Sequence, residues 1–294
     1  MIMDLRKYRY KIFWGETMIK KSDIRIRDPF IYTDVENECY YMYGTTDLVD
    51  DCVDARNTFS VYRSTDLENF EEPKIIFDGG KYGFWADRDF WAPELHKYNG
   101  KYYLFGSCKS DNKHRATHIW VCGTPDGEFV PLTETPITPS AWECLDGTFW
   151  VENGKPYIVF SHEWTQIKDG EIWAMELSED LKTSVGEPFM LFRASGNPNV
   201  SELTGHSGAY VTDGPFLYND DGKIKMMWSS FYNGRYLVLD AWSDTLRGKW
   251  QHGGSRFDFD GGHAMLFEKL DGTRMISLHS PNVANKERAV FYEI

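Results

Sequence analysis

Three aspartates head similar phrases far apart in the chain: Asp28 in Arg-Asp-Pro-Phe, Asp146 in Leu-Asp-Gly-Thr and Asp213 in Asp-Gly-Pro-Phe. Two further phrases of the same kind open on Trp91 with Glu94, in Trp-Ala-Pro-Glu, and on His263, in Gly-Gly-His. An aspartate before Gly or Pro commonly makes only a local Asx turn. Several like charges gathered at one place, however, destabilise a fold unless they have a use. Carboxyls brought together can divide acid from base: one stays protonated and gives its proton to a leaving oxygen, another is ionised and takes a proton from water. Cleavage of a glycosidic bond needs that division of labour.

For these residues to meet, five distant strand openings must converge on one point. The chain contains a repeat that does this. Its copies are RDPFIYTDVENECYYMYGTTD from Arg27, WAPELHKYNGKYYLFGSCKSD from Trp91, LDGTFWVENGKPYIVFSHEW from Leu145, TDGPFLYNDDGKIKMMWSSF from Thr212 and GGHAMLFEKLDGTRMISLHS from Gly261. Each reads as a hairpin, with two alternating strands around a turn such as Asn99-Gly100, Asn153-Gly154 or Asp221-Gly222. Further strands follow most copies, as in HIWVCGTPDGEF, EIWAMELSEDL and YLVLDAWSDTL. Five such units of about four strands predict an all-β fold, a five-bladed β-propeller with residues 1–294 as one domain. A two-sheet sandwich or a barrel is the alternative, and neither readily yields one phrase five times. The last blade is short, so RAVFYEI or a strand from Tyr8 to Phe13 is expected to complete it. The innermost strand of each blade lines the channel, which places the phrase openings together at one end.

Composition narrows the partners. A net charge of −13, from 32 Lys and Arg against 45 Asp and Glu, argues against a nucleic-acid partner. No apolar run reaches the length of a membrane span, and the amino terminus lacks the apolar stretch of a signal peptide. The expectation is a soluble, cytoplasmic protein with no membrane partner. The five cysteines are widely spaced with no Cys-x-x-Cys pair, which reads as free and mostly buried thiols. Aromatic residues form 16% of the chain, a surplus that suits sugar binding as well as sheet packing.

The ordered set of RDPF, WAPE, LDGTFWVENGKPY, DGPF and GGH resembles glycoside hydrolase family 43, the inverting β-xylosidases, α-L-arabinofuranosidases, arabinanases and related enzymes, from Arg27 to Arg288. The resemblance implies Asp28 as general base, Asp146 as the residue that orients the acid and tunes its pKa, and Asp213 as general acid. At the acid this family usually has Glu in a Glu-Gly-Pro phrase, whereas here the phrase is Asp213-Gly214-Pro215. Aspartate is one methylene shorter, and a misplacement of about an ångström can cost a catalytic group much of its effect. Either Asp213 acts with compensating geometry or another acid, Glu143, Glu94 or Glu202, donates the proton; Asp213 is favoured because Gly-Pro-Phe follows it intact. The Trp-Glu-Cys stretch at Glu143 is also similar to that of invertase-type propellers, in which it would be an acid.

The same resemblance implies that His263 points into the channel near a calcium or sodium ion held largely through water, an ion that the hydrolysis itself does not require. Trp91 is expected to offer a platform to a sugar ring and Arg288 to hold a hydroxyl or screen the carboxylates. Trp85, Phe84, Trp142 and Trp164 could wall the funnel, although blade packing claims most aromatics in a propeller. The activity expected is exo-acting hydrolysis of arabinofuranosyl or xylosyl oligosaccharides, with an endo-arabinanase or galactosidase-type relative as the near alternative. A sugar-binding propeller without catalysis is the alternative of another class.

Overall fold

The hairpin turns do what their residues require. Asn99, Asn153 and Asp221 adopt left-handed φ values of 45°, 52° and 50°, and the glycine after each is also at positive φ. Two successive residues at positive φ make the turn whose twist matches that of paired strands. The computed structural model describes residues 18–46 and 57–294. In it the five phrases form five antiparallel sheets arranged as the blades of a propeller, as the repeat predicts.

Blade one carries the inner hairpin Arg27–Asp34 and Cys39–Thr45, then Thr58–Ser64 and three short outer strands. Blades two, three and four have four strands each and open on Arg88–Tyr98, Cys144–Glu152 and Asp213–Asp220. Blade five has three strands, Gly262–Glu268, Arg274–Ser280 and Arg288–Glu293. The RAVFYE segment therefore serves as the outer strand of the last blade, whereas Tyr8 to Phe13 lies outside the described residues. Among the described residues the first blade has six strands, two more than the four expected, and the last has three, short as expected.

Blade five meets blade one through packing and buried polar bonds. Met265 and Phe267 join the cluster of Phe30, Ile31 and Tyr43. The Ser277 hydroxyl donates to the Pro29 carbonyl at 2.8 Å, and Glu287, fully buried, receives Arg25 and Arg27, each at 3.3 Å. The aromatic surplus goes largely into the faces between blades. Between blades one and two Phe59 meets Phe90 and Trp120 edge to face while Phe77 packs against both, and Phe192 packs against Trp228 farther round. The four described cysteines are free, and three of them are buried.

One irregularity recurs in every blade. The inner strand slips against its partner after its pairing at Arg27, Trp91, Leu145, Asp213 or Gly262, so that two residues face one. The first bulged residue is left-handed each time: Asp28, Ala92, Asp146, Gly214 and His263, with φ between 45° and 54°. Such bulges re-aim side chains at the ends of strands. Here five of them stand around one channel mouth.

Candidate active site

The bulges present their residues to a pocket of about 240 Å³ lined by Arg27, Asp28, Trp91, Leu145, Asp146, Asp213 and His263, together with Thr45, Glu163, Trp164 and Tyr236. Asp28, Asp146 and His263 occupy the left-handed position, and Arg27, Trp91, Leu145 and Asp213 the position before it. The sequence reading put the three aspartates at equivalent positions, and that is corrected. Asp213 stands one residue earlier in its bulge than Asp28 and Asp146 do in theirs. Gly214 takes the matching place.

The bulges are tied to one another by their amides. The left-handed residue of each blade donates its N–H to a side chain of the preceding blade: Ala92 to Thr45 Oγ1 at 2.8 Å, Asp146 to Ser107 Oγ at 2.8 Å, His263 to Ser229 Oγ at 2.8 Å and Asp28 to His279 Nδ1 at 3.2 Å. Each acceptor pairs across the sheet with the residue before the bulge of its own blade. Blade four departs from this pattern. The Gly214 amide donates to Asp146 Oδ2 at 2.9 Å, and the matching side chain, Ser161, keeps a buried hydroxyl without a partner among the described residues.

Asp28 is surrounded by donors and positive charge. Thr45 Oγ1 donates to its Oδ2 at 2.8 Å, and His263 Nδ1 lies 3.2 Å from its Oδ1. Burial works against its ionisation, but the charge and hydrogen bond of His263, together with Arg27, hold it well below the usual carboxylate range. His263 is pushed up to about 10, because the attraction of Asp28 and Asp146 overcomes the cost of burial. Its ring lies against Gly214, where an added Cβ would come within 2.7 Å.

The other two aspartates are shifted the opposite way. Asp213 is raised to about 7, first by burial and then by the charge of Asp146. Asp146 is itself raised to about 6 by burial, with Asp28 adding and His263 opposing. Both therefore favour the protonated form more than Asp28 does. The Tyr236 hydroxyl donates to Asp213 Oδ2 at 3.1 Å. An ionised carboxylate and a protonated one thus face a common pocket, the condition for paired acid and base chemistry.

Trp91 lines the pocket with the Arg115 guanidinium 4.1 Å from its ring centre. Arg115 bonds Glu163 at 2.6 Å and Asp89 at 2.7 Å. Trp164 also reaches the pocket. Phe84 and Trp85 pack instead on the core of blades one and two, and Trp142 stacks on His162 with ring centres 4.4 Å apart. Arg288 lies outside the pocket, with its guanidinium donating to the carbonyls of Ser22 and Glu287. The arginine at the pocket is Arg27, next to Asp28 in the same phrase.

The alternative acids are placed elsewhere. Glu143 is ionised, lowered to about 2 against its burial by His114, Lys109 and the Arg115 amide. Glu94 lies within 3.0 Å of His96, and neither it nor Glu202 lines the pocket. Among the described residues no three His, Cys, Asp or Glu side chains form a metal-binding group. His263 turns its Nδ1 to the carboxylates of Asp28 and Asp146, at 3.2 and 3.7 Å. Glu163 and Tyr236 were missed in the sequence. Glu163 stands in the Ser-His-Glu-Trp end of the third phrase and was readable there, whereas Tyr236 is the second residue of a third strand with no motif around it.

Comparison with known proteins agrees with this geometry. The profile of the glycosyl hydrolases family 43 matches residues 22–292. The crystal structure of an endo-arabinase from Bacteroides thetaiotaomicron VPI-5482 is 40% identical, covering 95% of this chain and 98% of that one with a TM-score of 0.85. An α-L-arabinofuranosidase from Lactobacillus brevis, 20% identical with 91% and 90% coverage and a TM-score of 0.71, shares the fold. So does the RS223 β-xylosidase, at 18% identity, 94% coverage of each chain and a TM-score of 0.69. No curated protein is matched by sequence. With a family match over almost the whole chain and opposed carboxyls at the convergence of its five blades, the protein belongs to the glycosyl hydrolases of family 43.

Proposed function

We propose that this glycosidase acts with inversion on arabinofuranosyl or xylosyl oligosaccharides, with Asp28 as base, Asp213 as acid and Asp146 as the charge that keeps Asp213 protonated. The observation that carries the reading is the opposed state of two pocket carboxyls: Asp28 held ionised beside His263, and Asp213 raised to about 7 by burial and Asp146. Asp28 would take a proton from water as the water oxygen bonds the anomeric carbon. Asp213 would give its proton to the glycosidic oxygen as the bond from that carbon breaks, and the leaving sugar departs as a neutral alcohol. Proton balance is kept, with Asp28 ending protonated and Asp213 ionised.

The size of the pocket, about 240 Å³, supports removal of single terminal pentoses, because it is smaller than the usual ligand cavity. A second reading, cleavage within a chain, has its own support. The 40% identical structure is that of an endo-arabinase, and a second, larger groove is lined by Lys109, Asn112, His114, Ser140 and Trp142.

The test is release from aryl α-L-arabinofuranoside, β-D-xyloside and β-D-galactoside, followed by product sizing on a linear pentose oligosaccharide. Single pentoses support exo action and mixed short oligomers the second reading. Release that collapses in Asp213→Asn supports the acid. Binding of oligosaccharide without release by the wild type would overturn the proposal in favour of a sugar-binding propeller.

A further inference from the structure

The Tyr236 side chain is held more firmly than a wall residue of a pocket needs to be. It is 1% exposed, its amide donates to Asp260 Oδ1 at 2.9 Å, and its carbonyl accepts from the Gly261 amide at 2.9 Å. Its ring stacks on His279 at 5.6 Å and lies so close over Gly262 that a Cβ there would come within 2.3 Å of it. The phenol is therefore fixed in place, and its O–H donates to Oδ2 of Asp213.

A neutral carboxyl has one oxygen that carries the proton and one that can only accept. An aspartate in a pocket can present either, since its terminal torsion is broad and two-fold. A phenol that donates to Oδ2 makes that oxygen the acceptor and leaves the proton on Oδ1. Once Asp213 has given up its proton, the same bond becomes charge-assisted and shorter. An interaction that strengthens as the reaction proceeds lowers the barrier, and one of equal strength throughout does not.

We infer that Tyr236 is the positioning residue of the acid, fixing which oxygen of Asp213 carries the proton and holding the carboxylate as its charge develops. The inference rests on the reading of Asp213 as acid. Tyr236 acts through Asp213, so its removal matters only when the leaving group needs a proton.

The experiment compares Tyr236→Phe with wild type on two glycosides of the accepted sugar, one with a 2,4-dinitrophenyl leaving group and one with an unactivated phenol. The variant keeps the ring and its packing. The expected result is a kcat on the phenyl glycoside lower by about 10- to 100-fold, within the range of acid catalysis, with KM and the dinitrophenyl rate nearly unchanged. In an Asp213→Ala background, adding Tyr236→Phe should change neither rate, because the two residues act as one unit. Equal losses on both glycosides, no loss on either, or a further loss in the Asp213→Ala background would overturn the role of Tyr236. If Asp213→Ala alone spares the phenyl glycoside, the acid assignment fails and the role of Tyr236 falls with it. A deficient Asp213→Ala beside an unaffected Tyr236→Phe removes only the latter.

Discussion

The backbone amide of Gly214 donates to Oδ2 of Asp146 at 2.9 Å, in the place where the other four blades use a side chain from the second strand. This couples the carboxylate of blade three to the bulge of blade four, one residue from Asp213. The charge that raises Asp213 is thus anchored by the backbone next to the group it acts on, not by a free side-chain rotamer.

Gly214 serves the site in two further ways, and a single methyl group tests both. At φ 52° its backbone is one that alanine adopts at a cost of roughly 1 kcal/mol. An alanine Cβ would also lie 2.7 Å from the ring of His263, which could then no longer sit between Asp28 and Asp146. Gly214→Ala is expected to lower kcat/KM by on the order of 100-fold, as displacements of about an ångström do, and to lower stability only modestly. Steady-state kinetics with urea unfolding on the same preparation separates the two effects.

The shift of Asp213 sets the direction of a pH profile. The acid works when protonated, so kcat should fall as pH rises through about 7. Asp146→Asn removes the neighbouring charge and lets Asp213 ionise more easily, moving that limb to lower pH. Activity at pH 7 should drop in this variant by more than activity at pH 5. Stability follows the same sign. The folded pKa of Asp213 lies above its ordinary 3.8, so the stabilisation is full below that value and is lost as pH rises through about 7. Unfolding of Asp213→Asn should lack that part of the pH dependence, and an unchanged slope would count against the shift.

Much of this arrangement could be read from the chain, and the reasons for the exceptions are local. Five recurrences of a turn, a strand and a hairpin, four of them turning through Asn-Gly or Asp-Gly, define the blades, because each element is specified by neighbours in sequence. Asp-Gly-Pro at Asp213 looks in sequence like the Asp-Pro at Asp28 and the Asp-Gly at Asp146, yet its aspartate stands one place earlier in the bulge. Which residue of a bulge turns left-handed depends on pairing with the second strand, and a glycine at that place has no side chain to declare it. The resemblance points to Arg288 for an arginine at the site, whereas its bonds to the carbonyls of Ser22 and Glu287 direct it away from the pocket. Tyr236 comes from the third strand of its blade and meets Asp213 only across the sheet, at a sequence separation that no motif spans.

Arg115 links the wall of the pocket to its support. Its guanidinium lies over Trp91 while bonding Glu163 and Asp89, and Arg115 and Glu163 are both buried. Removing one partner from a buried pair leaves an uncompensated charge and typically costs about 3 to 5 kcal/mol. Arg115→Met should therefore lower stability by about 3 kcal/mol and raise KM through loss of the stack under Trp91. The kcat of the folded fraction should change much less, since Arg115 touches none of the three aspartates. Equilibrium unfolding and the separate response of KM and kcat check this, and a fall confined to kcat would be the contrary result.

The unpartnered hydroxyl of Ser161 gives the sharpest stability test of the ring of bulge contacts. Ser107 and Ser229 stand at the matching places in blades two and four, equally buried, and each accepts the amide of a left-handed residue in the next blade. Replacing either by alanine strands a buried N–H and should cost about 1 to 3 kcal/mol. Ser161 accepts no such amide, because Gly214 has turned to Asp146. Its hydroxyl is desolvated without return, so Ser161→Ala should be neutral or stabilising, with activity retained. Urea denaturation of the three alanine variants side by side distinguishes the cases. A loss at Ser161 as large as at Ser107 and Ser229 would mean that Gly214 divides its amide between the serine and the aspartate, and that Asp146 is held less firmly than its 2.9 Å contact implies.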